Sequence, residues 1–182
     1  MALLYHDNHH NMREAVEAAS IPTHSHPLGI EGAILQATAI TIALKTPPNK
    51  EPDPERFLET LEEESRQPIY QEKINEIKRL LNINPEPWEI AGRLGNTVEA
   101  FNSVPTAIYL YLRSQDPLKT IQQAISLGGD TDTIASMAAA IAGAHKTAKP
   151  IPTTLINRLE NREKIRKTAQ KLWMLKNKLA RE

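Results

Sequence analysis

The chain of 182 residues contains no cysteine, which excludes disulfide bonds and thiolate metal sites. Aromatic residues are scarce, with two Trp, two Phe and four Tyr, so the core must be aliphatic and rich in alanine. The 22 basic and 22 acidic residues leave no net charge, which argues against a nucleic-acid binder. The apolar run from Met1 to Tyr5 is too short for a secretory leader. These absences predict one soluble domain in the cytoplasm.

Apolar residues recur at helical spacing along the chain, which predicts an all-α protein. The most apolar predicted helix covers residues 28–45 and is apolar on nearly all sides, as is typical of a helix buried in a core. We reject a membrane span here, because Glu31, Gln36, Thr38 and Thr41 interrupt the stretch and the mean hydropathy of the chain is −0.44. The predicted helices are 12–19, 28–45, 54–66, 69–81, 88–94, 104–112, 118–127, 131–144, 153–159 and 162–179.

Two charged segments stand apart from this apolar pattern. Residues 50–66 hold seven acids behind an Asp53-Pro54 helix start, and residues 82–87 form the clearest internal break. We therefore expect residues 46–87 to form a peripheral helical insertion within a single domain covering 1–182. Residues 161–182 carry eight Lys or Arg and two Glu. Their basic face is either solvated and paired with acidic residues 51–64, or helps a polyanionic substrate to approach.

A packing stripe is predicted on the same C-terminal helix. Ile165, Ala169, Leu172 and Leu179 fall at helical spacing and would face the rest of the domain.

The stretch with the most chemistry is Gly-Gly-Asp-Thr-Asp-Thr at 128–133, followed by a run of small residues. Asp130, Asp132 and Thr133 place two carboxylates and a hydroxyl within one turn of a helix start. Such oxygens suit a hard cation such as Mg²⁺, Mn²⁺ or Ca²⁺. They are equally typical of a helix N-cap and its first-turn acid, because the helix dipole favours negative charge there. Both interpretations remain open on the residues alone.

Two other motif assignments are excluded for this stretch. If Asp130 were position 1 of an EF-hand loop, the required Gly would fall on Ala135 and the bidentate Glu on Ile141. No Gly-Lys-Ser/Thr occurs here, so the stretch is not a phosphate-binding Walker loop.

The histidines near the N-terminus also invite a functional interpretation. His6, His9 and His10 are more typical of an exposed polar turn than of a metal site, because metal ligands converge from separate elements. His24 lies in a short loop between Thr23 and Pro27 and is either a ligand contact or a loop residue bonded to backbone. Asn96, Ser103 and Tyr109 are further candidates for nucleotide contact, with a structural role favoured for each.

Three ordered blocks of this sequence resemble the ADP-ribosylglycohydrolase family. Residues 126–144 read Ser-Leu-Gly-Gly-Asp-Thr-Asp-Thr-Ile-Ala-x-Met-Ala-x-Ala-Ile-Ala-Gly-Ala, similar to the C-terminal signature of that family. Residues 23–37, beginning Thr-His, and residues 94–109, with Leu-Gly-Asn and Ser-Val-Pro-Thr-Ala-Ile-Tyr, resemble two of its core segments. The resemblance covers most of residues 2–145 and is nearest to the branch that cleaves poly(ADP-ribose) and serine-linked ADP-ribose.

The resemblance implies a compact orthogonal helical bundle and a site that holds two Mg²⁺ ions, with Mn²⁺ as an alternative. Asp130, Asp132 and Thr133 match half of the metal ligands of the family, and His24 matches a residue at its ADP-ribose site. The N-terminal half of the family, with its catalytic Glu and a Thr-Asp-Asp metal cluster, has no counterpart here, and Thr-Asp-Asp occurs nowhere in the chain. The catalytic residue is therefore unknown, and we expect a C-terminal fragment, a split-gene product or a mis-started reading frame that lacks the N-terminal helices.

Three functional hypotheses follow. The first is the C-terminal half of a Mg²⁺-dependent hydrolase that removes ADP-ribose from protein or from poly(ADP-ribose), completed by a separately encoded N-terminal half. The second is a non-catalytic helical module that binds ADP-ribose or a protein partner, and the third is an inactive fragment. None of them involves a membrane or a specific nucleic acid.

Overall fold

The computed structural model describes residues 1–147 and 151–179, and these form eleven α-helices and no strand. The all-α prediction is confirmed. The helices are α1 (Ala2–Tyr5), α2 (His9–Ser20), α3 (Pro27–Lys45), α4 (Pro54–Glu64), α5 (Pro68–Leu81), α6 (Pro87–Leu94), α7 (Ala100–Ser114), α8 (Pro117–Leu127), α9 (Thr131–Lys146), α10 (Thr153–Arg158) and α11 (Arg162–Leu179).

Several helices begin where the sequence places a capping side chain. The Asp53 carboxylate accepts hydrogen bonds from two amides in the first turn of α4, and Asp116 does the same for α8. Asn8 caps α2 by accepting from the amide of Asn11 at 3.0 Å. Proline occupies the first helical position of α4 and α8, where the missing N–H has no intrahelical partner to lose. Local sequence therefore sets these helix starts.

The core lies where α3, α7, α8 and α9 meet. Helix α7 is buried from Ser103 to Leu112, and α9 presents Ile134, Ala138 and Ala142 to it. Small side chains on α9 allow its neighbours to approach closely. A smaller apolar cluster joins Met12 of α2 to Ile34 of α3. Helix α9 is thus anchored in the core from Ile134 onward, while its N-terminal end, with the Asp-Thr-Asp-Thr motif, lies at the surface.

Residues 46–87 contribute to this same core. Phe57 and Leu61 of α4 and Tyr70 and Ile77 of α5 are almost fully buried in the main apolar cluster. The ring of Phe57 lies 5.6 Å from that of Tyr111, centroid to centroid. Within this chain the segment is part of the packed bundle. That it is an insertion relative to other proteins stays a prediction.

The predicted packing stripe on α11 is wrong. No residue of α11 is buried, and Ile165 and Leu179 are exposed. The helix contacts α1, and the ammonium group of Lys176 pairs with the carboxylate of Asp7 in the turn after α1. The predicted pairing with residues 51–64 is also not found among the described residues, because Glu62 and Glu64 pair with Lys78 and Arg13 instead. The physical reason is position in the fold. Lys78 of α5 and Arg13 of α2 lie close enough to α4 to pair with its acids, whereas α11 contacts α1. Residues 180–182, with Arg181, lie outside the described part.

Helix α3 is the one described helix that is long and apolar enough to cross a membrane by length and composition. Half of its apolar stretch is buried inside the bundle, and core helices of soluble proteins pass the same test. It packs against α2, α7 and α9.

Candidate functional site

A tight turn between α8 and α9 sets the position of the motif. Gly128 and Gly129 have φ values of 67° and 70°, a region that favours glycine. The amide of Asp130 donates to the Asn96 carbonyl at 2.8 Å, and the Asn96 side-chain amide donates to the Leu127 carbonyl at 2.8 Å. A Cβ atom on Gly129 would overlap Asn96. Asn96 therefore has the structural role that the sequence favoured, and it braces the turn from both ends.

Asp130 stands at the N-cap position of α9, but its side chain accepts no hydrogen bond from the amides of that helix. Instead the Thr133 hydroxyl donates to Asp130 Oδ1 at 2.9 Å. The interpretation of Asp130 as an ordinary side-chain cap is therefore wrong. The Asp130 carboxylate and the Thr133 hydroxyl therefore lie side by side at the N-terminus of α9.

Asp132 is exposed, and its carboxylate makes no hydrogen bond or ion pair within the described part of the chain. Asp130 is half-buried, and Thr133 is exposed. Two carboxylates thus lie at a helix N-terminus, with no basic side chain paired to either of them in residues 1–147 and 151–179. The positive end of the helix dipole is their main local compensation.

The donor set fits Mg²⁺ in kind but not in number. Oxygen ligands from carboxylates and a hydroxyl are what a hard cation prefers. The described residues contain no group of three or more His, Asp, Glu or Cys side chains able to hold a metal. Asp130, Asp132 and Thr133 can therefore supply only part of a magnesium site, and their metal role stays a prediction.

A large cavity lies beside the motif. Its volume is about 1250 Å³, and its mainly apolar wall comes from α1, α2, α3, α7, α9 and the loop before α3. Typical ligand pockets span roughly 300–1,000 Å³, so this cavity has room for a dinucleotide-sized molecule. Two predicted site residues, His24 and Thr133, lie on its wall. Neither Asp130 nor Asp132 lines the cavity, but Asp130 accepts a hydrogen bond from Thr133, which does.

His24 lies in the loop that leads into α3. Its Nδ1 atom is 2.9 Å from the Thr23 hydroxyl, and its ring is exposed. The neighbouring His26 has a different role, because its Nδ1 accepts from the amide of Leu28 and caps α3. Both histidines line the large cavity, but His26 also caps α3, whereas the His24 ring contacts the neighbouring Thr23 hydroxyl.

Sequence reasoning missed two polar residues on the cavity wall. The Gln36 side-chain amide donates to the Met137 carbonyl at 3.0 Å, while its buried Oε1 has no partner among the described residues. Glu99 is the one acid on the wall within the described part of the chain. A hydrogen bond from Thr97 lowers the pKa of this carboxylate. Their positions in the sequence were the signal that could have identified them. Gln36 interrupts an apolar helix, and Glu99 directly precedes a buried helix.

The other candidates lie at separate places in the fold. His9 pairs with Glu64 at 3.3 Å and His10 with Glu14 at 3.3 Å, so the N-terminal histidines do not converge on one point. The Ser103 hydroxyl donates to the Glu99 carbonyl at the N-terminus of α7, and Ser103 also lines the large cavity. Tyr109 is buried on another side of the bundle, where it lines a smaller cavity between α6, α7 and α8.

The chain is thus an all-α bundle in which two carboxylates lie at a helix start that follows two glycines, beside a large cavity. These features define the class of proteins with which it is compared. The sequence model of the ADP-ribosylglycohydrolase family matches residues 1–181. The chain belongs to the ADP-ribosylglycohydrolase family.

Its relatives include proteins named ADP-ribosylhydrolase ARH3. The chain is 36% identical to the Bos taurus protein over 176 residues, which covers 82% of this chain and 48% of the relative. It is 38% identical to the Xenopus tropicalis protein over 169 residues, covering 76% and 47%. An uncharacterized protein of Archaeoglobus fulgidus is 30% identical over 178 residues, covering 96% and 55%. The chain thus spans about half the length of the curated relatives it matches.

Proposed function

We propose that this chain forms the C-terminal half of a Mg²⁺-dependent ADP-ribosylglycohydrolase, which hydrolyses ADP-ribosyl glycosidic bonds on protein or in poly(ADP-ribose). An N-terminal half, encoded separately or on a longer chain, completes its active site. The cytoplasmic location belongs to the same proposal.

One observation carries the proposal: the Thr133 hydroxyl orients Asp130 at the helix start while lying on the wall of the cavity that also bears His24. A carboxylate used only to finish a helix would bond to the amides of that helix, and Asp130 does not. Family membership supports the same chemistry.

Each residue has a distinct part in this proposal. Asp130, Asp132 and Thr133 would hold Mg²⁺, which when bound orients hydroxyl groups and an attacking water. His24 contacts the ADP-ribose from the loop before α3, and the apolar wall excludes bulk water from the ligand. Because Asp130 is held in place before the ligand arrives, little ordering remains to be done on binding.

The test is reconstitution. The chain is mixed with the N-terminal half of a family member and Mg²⁺, and release of ADP-ribose from an ADP-ribosylated peptide is measured. We expect release that requires both halves and the ion. Asp130→Ala should abolish it, and Thr133→Val should lower it by about tenfold or more, since groups that orient metal ligands typically contribute that much.

Glu59→Gln provides a matched control, because Glu59 is exposed and makes no hydrogen bond or ion pair among the described residues. It should leave release unchanged. Equal release by the Asp130→Ala variant and the native chain, or none in any mixture, would contradict the proposal.

A second candidate is a non-catalytic module that binds ADP-ribose. It is favoured by the presence of only two motif carboxylates beside a cavity that already exists in the lone chain. Calorimetry with ADP-ribose separates the two. Tight binding by the lone chain with no release after reconstitution would favour the module.

A further inference from the structure

A second cavity lies between α6, α7 and α8. Its volume is about 150 Å³, roughly tenfold more than a single water molecule requires. Ile90, Leu110 and Leu127 form apolar parts of its wall, and Tyr109, Arg113 and Gln123 supply polar groups. It shares no lining residue with the large cavity beside the motif.

Two of these polar side chains have buried atoms that lack a partner. Tyr109 is 1% exposed, and its hydroxyl makes no hydrogen bond within the described part of the chain. The Oε1 atom of Gln123, on α8, is likewise buried and unpartnered among the described residues. Burying a polar atom without a partner costs about 1–3 kcal/mol, so two such atoms on one cavity point to a ligand.

The charge on the wall is of one sign. Arg113 is the one charged residue that lines the cavity among the described residues, and no acid lies on the wall there. Its guanidinium donates to the Asn84 side chain at the rim and retains further N–H donors. Burial raises the pKa of Tyr109, and the Arg113 charge partly opposes that rise, so the cation acts on the phenol oxygen.

We propose that this cavity binds a small oxyanion, with Arg113 supplying the charge and the Tyr109 hydroxyl a buried hydrogen bond. A cation would meet Arg113 with no acid to offset the repulsion, and an apolar ligand would leave Tyr109 and Gln123 unpaired. A half-turn of the Gln123 side-chain amide places Nε2 where the unpartnered Oε1 lies, and Nε2 then donates to the same ligand, because a deprotonated oxyanion has no proton for Oε1 to accept. Carboxylate and phosphate share the chemistry that these three groups recognise.

The site adjoins the Gly-Gly-Asp-Thr-Asp-Thr motif along the chain. Leu127 lines the cavity, and its carbonyl accepts the hydrogen bond from Asn96 that braces the turn before Asp130. The proposal does not depend on the enzymatic function, because it concerns a separate face of the bundle.

The test measures the melting temperature of the full chain with inorganic phosphate, with acetate, and with chloride at matched ionic strength. We expect phosphate or acetate to raise the melting temperature while chloride does not. Comparison of the first two tells a phosphate ligand from a carboxylate one. Tyr109→Phe and Arg113→Gln should weaken the effective affinity at least tenfold. Arg79→Gln, at an exposed arginine that pairs with Glu76 on α5, should leave it unchanged.

Tyr109→Phe keeps the test decisive even if Arg113→Gln disturbs the rim. Its hydroxyl has no partner, so its removal should leave the anion-free melting temperature equal or slightly higher. An equal phosphate or acetate shift in the native chain and in Tyr109→Phe would overturn the proposal. So would the absence of any shift, which would mean that the cavity holds water alone.

Discussion

Asn96 and Asp130 are joined by a backbone hydrogen bond of 2.8 Å, although the whole of α7 and α8 separates them along the chain. The loop after α6 therefore holds the start of α9 in place. Orientation of the motif depends on this contact between distant segments as much as on the motif residues themselves.

The first prediction concerns the glycine between these residues. Gly129→Ala should destabilise the fold by about 2–3 kcal/mol, because its φ of 70° strains any L side chain and the new Cβ would also overlap Asn96. Urea unfolding followed by circular dichroism measures the loss. Gly143→Ala is the control, because Gly143 lies within α9 at an ordinary helical φ and its Cβ would meet nothing. It should leave the free energy of unfolding equal or raise it by about 0.5–1 kcal/mol, and a Gly129→Ala variant as stable as Gly143→Ala would contradict the close packing of Asn96 on this turn.

The sequence predicted helix starts better than contacts between helices. Asp53 and Asp116 cap their helices as expected, because a cap depends on neighbours a few residues away. The stripe on α11 failed because helical spacing shows that a face is apolar but not whether anything covers it.

The candidate site shows the same division. The motif predicted oxygens at a helix start, which a local pattern contains. The hydrogen bond from Thr133 to Asp130 replaced an ordinary cap, and the unpartnered oxygen of Gln36 depends on packing between α3 and α9. The first contact is local but is one of two arrangements that the same residues allow, whereas the second joins residues about a hundred positions apart and has no signature in a single sequence.

The second prediction concerns a buried carboxylate on α3. Glu31 is 5% exposed, and its Oε1 accepts from the Ser65 hydroxyl and from the amides of Arg66 and Gln67, all within 3.1 Å. Gln67 has no side-chain cap of its own, so Glu31 serves the start of α5 from another helix. Glu31→Ala should cost about 2–3 kcal/mol, because these donors lose their acceptor.

Thermal and urea unfolding of the Glu31 variants test this role. Glu31→Gln keeps an acceptor oxygen of the same shape, so it should lose only about 1 kcal/mol, the charge-assisted part. The order native, Gln, Ala in falling stability is the expected result. A Gln variant as unstable as the Ala variant would show that charge, and not the acceptor, matters here.

The third prediction concerns pH and the buried His145. Its Nε2 lies 2.9 Å from the Lys50 carbonyl, so it carries the proton, and Nδ1 accepts from the Tyr111 hydroxyl at 3.1 Å. Burial lowers the pKa of His145 from 6.5, and nearby Lys146 adds to this, while the carbonyl contacts oppose it. The neutral ring is therefore favoured in the folded state.

The sign of the pH dependence follows from that lowered pKa. The contribution of His145 is fully present above about pH 6.5 and is lost as pH falls towards the folded-state pKa. Urea unfolding between pH 8 and pH 5 should show a decline in the free energy of unfolding that His145→Gln reduces. His10→Gln, at an exposed residue that pairs with Glu14, should retain the full decline. Identical pH profiles for the native chain and His145→Gln would contradict this account.

The last prediction compares two large aromatic residues that the sequence alone does not distinguish. Phe57 is 1% exposed and packs on Tyr111, whereas Trp173 on α11 is 65% exposed. Phe57→Ala should cost about 3–5 kcal/mol, because it leaves a cavity in the core. Trp173→Ala should change the free energy of unfolding by about 0.5 kcal/mol or less, as is usual for surface positions. Since both changes remove a whole ring, the difference isolates burial. A loss at Trp173 as large as that at Phe57 would mean that α11 is covered in solution, and sedimentation velocity of the native chain would then show self-association.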